Sequence, residues 1–193
     1  MNSLYTISGC NGSGKTTASH SVFSEQFNCD IFINADEIAK EIEPLNPEKY
    51  AIKAGKIMLN KIYKLIEKEQ DFAFETTLAS KSLSNLIIKA KEKHYQIILI
   101  YFWLNSVELA ISRVAERVSK GGHNVDENVI KRRYYSGIKN LFNIYINIVD
   151  SVYVFDNSTI NSELVLESKS NEIKIKNEII LKKMKEVLKN GVS

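Results

Sequence analysis

The sequence predicts an α/β protein, a three-layer sandwich around a five-stranded, mainly parallel sheet with a C-terminal hairpin and helix appended. Three observations predict this class. Short apolar segments alternate with longer helical segments up to Phe155, which favours parallel strands joined by right-handed crossovers. A glycine-rich turn joins the first apolar segment directly to the first helical one. Polar residues follow several apolar segments, at the strand ends where open α/β sheets bind ligands.

The five predicted strands are short apolar runs bounded by turn residues. The fourth is the most apolar, and we expect it to be buried along its whole length. The strands are expected at Leu4–Ser8, Asp30–Asn34, Phe72–Phe74, Gln96–Leu104 and Ser151–Phe155.

Six segments of this region are predicted to be helices, most of them from apolar residues at helical spacing. Pro44 and Pro47 separate the second helix from the third, because proline cannot continue a helix. Gly121 and Gly122 end the fifth helix, and Asp126 is a candidate N-cap for the sixth. The helices are expected at Lys15–Glu25, Asp36–Glu43, Glu48–Glu69, Ser80–Lys93, Val107–Ser119 and Val129–Val149.

The C-terminal part of the chain departs from this alternation. Leu164–Glu167 and Ile173–Ile175 are predicted to pair as a hairpin, and Glu178–Leu188 to form a lysine-rich amphipathic helix. We therefore expect one domain over residues 1–160, with a lid around 113–133, and an appendage over 161–193 packed on the same domain.

Composition excludes several classes of protein. The chain has 193 residues and 22.0 kDa, with 44% hydrophobic and 25% charged residues, which excludes a disordered or fibrous protein. Its longest apolar run, Ile97–Leu104, is far shorter than the ~20 residues of a membrane-spanning helix. The opening MNSLYTISG shows no secretory signal, and two cysteines, Cys10 and Cys29, make no disulfide framework. We expect a cytoplasmic protein without a membrane partner.

The net charge of +3 is unevenly distributed. Residues 169–193 hold seven lysines and three glutamates, a balance of +4, which leaves −1 for the rest of the chain. A nucleic-acid-binding body would be basic, so the charge argues against nucleic acid as a partner. The lysine-rich tail could bind a polyanion, but such a helix is more often a solvated face.

The glycine-rich turn from Gly9 to Thr16 fits the phosphate-binding pattern G-x-x-x-x-G-K-[ST] at every fixed position. Its glycines let backbone N–H groups curl around an anion at the start of a helix. Lys15 offers a mobile charge to the outer phosphates, and the Thr16 hydroxyl can ligate Mg²⁺. The pattern predicts nucleoside triphosphate binding, and the ATP contacts are expected from Gly9, Asn11, Gly12, Ser13, Gly14, Lys15, Thr16 and Thr17.

Several classes of protein share this loop. The sequence lacks the N-K-x-D motif of GTPases and the LSGGQ-like signature of transporter ATPases. Small-molecule kinases instead need a carboxylate near the acceptor hydroxyl, polar groups that hold the acceptor, and arginines around the transferred phosphoryl group.

Candidate acceptor-side residues follow the second and third strands. Asp36 could take the acceptor's proton, although its position also suits a helix N-cap. Glu75 could hold substrate hydroxyls or organise the waters of Mg²⁺, and Thr76 and Thr77 can donate and accept hydrogen bonds. A plain strand-to-loop transition would explain Glu75, Thr76 and Thr77 as well.

All four arginines of the chain lie within one window, at Arg113, Arg117, Arg132 and Arg133. A guanidinium matches phosphate oxygens with a planar fork that lysine lacks, so the cluster predicts phosphate contacts. Salt bridges to nearby glutamates are the alternative. His123 between the pairs could contact a phosphate or a sugar. Asn157, after the fifth strand, is a candidate contact on the adenine side or part of a simple turn.

Seven segments together carry a family resemblance: Gly9–Thr17, Asn34–Ala39, Ala54–Leu59, Phe72–Ser82, Arg113–Val125, Ile130–Tyr134 and Asp156–Ser158. With them the sequence resembles the zeta-toxin-like kinase family of P-loop proteins. The Gly-Gly-His lid, Gly121–His123, looks more like the short, stand-alone branch of that family.

The resemblance implies a P-loop kinase-like fold and ATP-dependent phosphorylation of a hydroxyl on a small substrate. In toxin members that substrate is UDP-N-acetylglucosamine, and a small antitoxin is a possible partner. By matching motifs, Lys15 and Asp36 would be catalytic, and Arg117 with one of Arg132 or Arg133 would clamp the phosphates; of these two arginines we expect Arg133 to be the catalytic one. Thr16 would serve Mg²⁺, and Arg113 and Asn157 would join the ATP contacts. The acceptor would be bound by Asp36, Glu75, Thr76, Thr77, His123 and Arg132.

Two other functions remain open from the sequence. A nucleic-acid end kinase would use the same loop and draw on the basic tail. A non-catalytic ATP-binding partner in a toxin–antitoxin-type pair would keep the loop but lack turnover.

Overall fold

A computed structural model describes residues 1–17, 29–169 and 172–190 of the chain. Seven of the described segments are strands of one sheet. They are β1 (Ser3–Ser8), β2 (Phe32–Ile33), β3 (Phe72–Thr76), β4 (Gln96–Trp103), β5 (Ser151–Asp156), β6 (Glu163–Lys169) and β7 (Glu172–Ile175).

The sheet has the order β2-β3-β1-β4-β5-β6-β7. Its first five strands run parallel, which confirms the α/β class and the five expected strands. The expected total of five is wrong, because the sheet has seven strands. After β5 the chain turns back, and β6 pairs antiparallel with β5 from Ser151↔Lys169 to Asp156↔Glu163. The predicted hairpin therefore extends the sheet itself.

Six helices are described beside the sheet: α1 (Ala35–Ile42), α2 (Ala51–Glu67), α3 (Leu83–Glu92), α4 (Val107–Ser119), α5 (Glu127–Asn143) and α6 (Glu178–Asn190). Residues 15–17 are also helical, and the rest of the helix predicted to reach Glu25 lies outside the described residues. Short 3-10 turns occupy Pro47–Tyr50 and Tyr145–Asn147.

Three helix predictions need a boundary corrected by three or more residues, and the first is the helix expected from Ser80, which begins at Leu83. The helix expected from Glu48 begins as a 3-10 turn at Pro47 and becomes α-helical only at Ala51. The helix expected to reach Val149 ends at Asn143, and Ile144 leaves helical geometry. Apolar residues continue at helical spacing beyond Asn143. In that segment the Tyr145 hydroxyl donates to the Ser80 carbonyl at 2.5 Å, which is a contact with a distant loop.

Side-chain caps fix where three helices begin. The Asp126 carboxylate accepts from the backbone N–H groups of Asn128 and Val129, which confirms the predicted N-cap of α5. The Ser106 hydroxyl caps α4 in the same way, by accepting from the N–H of Leu109. Asn34 caps α1.

The core lies between the sheet and its helices. Strand β4 is buried from Ile97 to Trp103, whereas Gln96 is exposed, so the burial predicted along the whole strand is wrong at its first residue. On α6, Leu181 and Met184 are buried against the domain. Among the described residues, no helix combines the length and the apolar character needed to cross a membrane.

Candidate active site

The phosphate-binding loop follows β1 at the carboxyl edge of the sheet. Gly9, Gly12 and Gly14 have φ of 142°, 78° and 84°, where other residues are strained. A Cβ on Gly12 would also lie 2.6 Å from the Ala110 carbonyl oxygen of α4. This loop conformation therefore needs glycine both for its backbone angles and for its close approach to α4.

Lys15 sits inside this loop and is only 5% exposed. Its ammonium donates to the Cys10 carbonyl at 2.7 Å and lies 3.6 Å from Glu75 Oε1. The other Glu75 oxygen, Oε2, accepts from the Thr16 hydroxyl at 2.9 Å. Glu75, which ends up beside the phosphate loop, is opposite Ile7 in the β1–β3 register.

Asn34 was not among the predicted site residues, yet it links two that were. It is 6% exposed, and its amide Nδ2 donates to Glu75 Oε2 at 3.0 Å. Its Oδ1 accepts from the Asp36 backbone N–H at 2.7 Å, so Asn34 is the N-cap of α1. The available signal was its position directly after the second strand, before an acidic helix start.

Asp36 lies in the first turn of α1 with an exposed side chain. The capping role that its sequence position also suited belongs to Asn34. Asp36 lines the same cleft as Lys15 and Glu75.

The cleft has a volume of about 600 Å³. Its lining combines the phosphate loop with residues of α1, β3, α4 and the segment after β5. The predicted residues that line it are Asn11, Gly12, Gly14, Lys15, Thr16, Thr17, Asp36, Glu75, Arg113, Arg117 and Asn157. Sequence reasoning missed Glu116, Lys120, Gly122, Thr159 and Ile160.

Arg113 and Asn157 hold two sides of the cleft together. The Arg113 guanidinium donates to the carbonyls of Asn157 and Ser158 at 2.8 and 3.1 Å. The Asn157 amide donates to the Ser13 carbonyl at 2.7 Å. The segment after β5 is therefore fixed to both α4 and the phosphate loop.

Arg117 lines the cleft from α4, whereas Arg133 of α5, a predicted catalytic residue, is not among the residues that line it. Arg117 Nη2 donates to the His123 carbonyl at 2.7 Å, which ties the lid segment back onto α4. Arg133 Nη1 donates to Asn11 Oδ1 at 3.0 Å, inside the phosphate loop. Burial lowers the pKa of Arg133, and the negative charge of Asp36 acts in the opposite direction. Arg132 is exposed.

Four predicted acceptor contacts, Thr76, Thr77, His123 and Arg132, are not among the residues that line the cleft. The Thr76 hydroxyl accepts from the Leu78 N–H at 3.2 Å. His123 lines an adjoining cavity of about 280 Å³, and its Nδ1 lies 3.7 Å from Glu48 Oε2. The structure therefore does not bring these side chains together with Lys15.

Two buried polar atoms of the site, Ser13 Oγ and Arg117 Nε, have no hydrogen-bond partner among the described residues. Such atoms are costly to bury unless a ligand or water satisfies them. Both lie where the sequence predicts phosphate contacts, so the site fits an anion. The Cys10 thiol is different, because burial raises its pKa to about 11 and keeps it neutral.

The described residues also suit Mg²⁺ held mainly through a nucleotide. Among them, no group of three or more histidine, cysteine or acidic side chains could hold a metal ion unaided. Magnesium typically keeps several waters and binds one or two protein oxygens plus substrate phosphates. Thr16 Oγ1 and Glu75 Oε2, 2.9 Å apart, are oxygens of that kind.

Comparisons with known proteins bear on the family and the fold of the chain. An uncharacterized protein of Haemophilus influenzae is 36% identical over 129 residues, which cover 65% of this chain and 88% of that protein. A crystal structure of AvrRxo1-ORF1:AvrRxo1-ORF2 with sulphate ions is similar in fold, with a TM-score of 0.77 at 12% identity. The match covers 95% of this chain but spans only 63% of the AvrRxo1 chain.

A second structural neighbour comes from the PezAT chromosomal toxin–antitoxin system of Streptococcus pneumoniae. It has a TM-score of 0.67 at 18% identity and covers 99% of this chain and 84% of its own. At these identities both structures establish the fold alone. The family model described as Zeta toxin matches residues 2–177, and the protein therefore belongs to the zeta toxin family.

Proposed function

We propose that the protein is a Mg²⁺–ATP-dependent phosphotransferase that moves the γ-phosphate of ATP to a hydroxyl of a small molecule. Family membership and the kinase-like fold support an ATP-using phosphotransferase as the general class. One observation carries the finer proposal. Lys15 of the phosphate loop and Asp36, an exposed carboxylate with no capping role, line the same cleft.

The nucleotide side follows from the loop geometry. Backbone N–H groups of the loop and the start of its helix would surround the phosphates. The Lys15 ammonium would leave the Cys10 carbonyl and bind the outer phosphates. Arg113 and Asn157, which hold the segment after β5 against the loop, would position the nucleoside between that segment and α4.

Mg²⁺ would be held by the Thr16 hydroxyl, with Glu75 binding its waters. When bound, the ion neutralises the phosphate charge that develops during transfer. Glu75 was predicted either to hold acceptor hydroxyls or to organise these waters. Its contacts with Lys15, Thr16 and Asn34 support the second role.

Asp36 would accept the proton of the acceptor hydroxyl. That oxygen would then form the new bond to the γ-phosphorus while the bond to the β–γ bridging oxygen breaks and ADP leaves. Arg133, at the Asn11 side chain, and Arg117, whose Nε lacks a partner among the described residues, would face the equatorial phosphate oxygens.

For the acceptor we propose UDP-N-acetylglucosamine or a related nucleotide sugar, supported by membership of the zeta toxin family. The similarity to PezAT supports a small antitoxin as a partner, since that protein belongs to a toxin–antitoxin system. Two cysteines that are both free thiols suit a cytoplasmic protein.

The test is phosphate transfer from ATP labelled at the γ-position. The full chain is incubated with Mg²⁺ and UDP-N-acetylglucosamine, and in parallel with a small-metabolite extract, and products are separated by chromatography. We expect a labelled small molecule in at least one reaction and none when Mg²⁺ is chelated. Label found only in inorganic phosphate, or in no product at all, would contradict the proposal.

A further inference from the structure

Strand β7 forms the last edge of the sheet, and among the described residues it pairs with β6 alone. All four of its residues are exposed, and the side chains of Ile173 and Ile175 are 56% and 47% accessible. An open edge with apolar side chains is a template for another strand.

The pairing with β6 fixes which backbone groups face the open edge. The Lys176 N–H donates to the Val165 carbonyl at 2.9 Å, and the β6–β7 register, continued by one residue, places these two residues opposite each other. Hydrogen-bonded and non-hydrogen-bonded pairs alternate along an antiparallel ladder. The N–H and C=O groups of Ile173 and Ile175 therefore point away from β6.

Charges alternate across the same two strands. Glu172 lies opposite Lys169, and Lys174 lies opposite Glu167. Both charged residues of β7 thus lie opposite a residue of the other sign on β6. Glu172 and Lys174 carry this alternation of charge to the open edge of the sheet.

We propose that β7 pairs antiparallel with β7 of a second copy of this chain, about a two-fold axis at Ile173. This pairing joins two seven-stranded sheets into one. It places Glu172 of each copy opposite Lys174 of the other, and Ile173 opposite Ile173. The charge alternation seen within one copy then runs through both.

Other registers of the same pairing are poorer. In an antiparallel pair, a residue whose N–H and C=O groups face the other strand lies opposite a residue of the same kind. The two-fold axis must therefore pass through a residue position and not between two positions. An axis at Glu172 or at Lys174 would place that residue against its own copy, and like charges directly opposite are destabilising. An axis at Ile175 would set Lys174 against Lys176. Only the axis at Ile173 pairs every charge of β7 with an opposite one.

In this register Glu172, Ile173 and Lys174 of each copy pair with described residues of the other, which makes a small interface, so we expect a weak dimer that forms at high concentration. Analytical ultracentrifugation of the full chain from about 10 µM to about 1 mM should show mass rising from 22.0 kDa towards twice that value. A chain that stays monomeric over this range would overturn the proposal.

Two charge variants test the register. Glu172→Lys places lysine against lysine at both symmetric positions, and Lys174→Glu places glutamate against glutamate. Each variant alone should dimerise about tenfold more weakly than the native chain. An equimolar mixture should recover the native affinity, because the lysine introduced in one variant then faces the glutamate introduced in the other.

The mixture distinguishes a broken interface from a damaged β6–β7 hairpin. Each chain carries the same substitution whether mixed or alone, so damage to the hairpin would persist in the mixture. Lys183→Glu, an exposed change of equal charge on α6, should dimerise like the native chain. A mixture no tighter than its components would overturn the proposal. Amide exchange gives a second readout, in which the N–H of Ile173 gains protection with concentration and the N–H of Lys174 changes little.

Discussion

The two sides of the cleft are built in different ways. On the phosphate side Ser13 is fully buried, Lys15 is 5% exposed and Asn11 is 7% exposed, all within one contiguous loop. Of the residues proposed to bind the acceptor, Asp36 and Arg132 are exposed, and Arg132 and His123 do not line the cleft. The anion-binding side is thus fixed by local backbone geometry, whereas the acceptor side is assembled from distant segments.

This difference has a functional consequence. The phosphate loop is shaped by positive-φ glycines and buried hydrogen bonds, and in the proposed function it holds the phosphates of ATP. Exposed side chains on α1 and α5 can be replaced without disturbing the core. The acceptor side is therefore where substrate choice can change while the phosphate chemistry stays the same.

The largest effect should come from Lys15→Ala, which removes the buried ammonium from the phosphate side. It would also leave Glu75 without its cation at 3.6 Å. We expect phosphate transfer to fall by roughly a thousandfold, together with weaker ATP binding. Transfer rates and ATP calorimetry measure the two effects. Lys53→Ala, an exposed change on α2, is the matched control, and equal activity of both variants would refute the role.

The arginines give a sharper comparison of the two sides. Arg133 reaches the Asn11 side chain, whereas Arg132 is exposed. Arg133→Lys keeps the charge but loses the planar fork, so transfer should fall roughly ten- to a hundredfold. Arg132→Lys should have a clearly smaller effect. Steady-state kinetics would decide between them, with the exposed Lys131→Ala as a control on α5. A larger loss of transfer in Arg132→Lys than in Arg133→Lys would assign the phosphate contact to Arg132.

Glu75 tests whether the end of β3 belongs to the phosphate side. Glu75→Gln keeps a side chain that can hydrogen-bond but loses the charge near Lys15 and Thr16. We expect about a tenfold loss of transfer that is partly recovered at high Mg²⁺ concentration. Titrating Mg²⁺ at saturating ATP measures this, with Glu92→Gln as an exposed control. A rise in the acceptor KM alone would instead place Glu75 on the acceptor side.

The smallest effects concern stability. A Cβ on Gly137 of α5 would lie 2.8 Å from the Thr77 carbonyl, so Gly137→Ala should destabilise the fold by about 1–3 kcal/mol. Gly55 of α2 has open space around it, and Gly55→Ala should stabilise by about 0.5–1 kcal/mol. Urea unfolding measures both. If Gly137→Ala left the free energy of unfolding unchanged or raised it, the loop after β3 would not depend on its close packing against α5.

Much of the fold followed from local sequence. The bounds of α4, Val107–Ser119, and the capping role of Asp126 were predicted as they occur, because caps and helical spacing are local signals. The seven-strand sheet was not predicted. The hairpin itself is a local pattern, but its pairing with β5 depends on which edge the folded sheet leaves open.

The candidate site divides in the same way. The phosphate loop was predictable because eight consecutive residues carry its chemistry. Asn34 was missed because its contact with Glu75 of β3 joins two residues that are 41 positions apart in the sequence. Thr159 and Ile160 were missed because nothing in their own sequence shows that they face α4 across the cleft.

The central claim is that Asp36 serves the acceptor while the loop serves ATP. Asp36→Asn tests it most directly, with the rate of phosphate transfer and the ATP dissociation constant measured on the same preparation. We predict a loss of transfer of roughly a hundredfold or more with ATP affinity changed less than about twofold. Glu37→Gln, the next acidic residue of α1, should change neither. Equal losses of transfer and of ATP binding in Asp36→Asn would contradict the account.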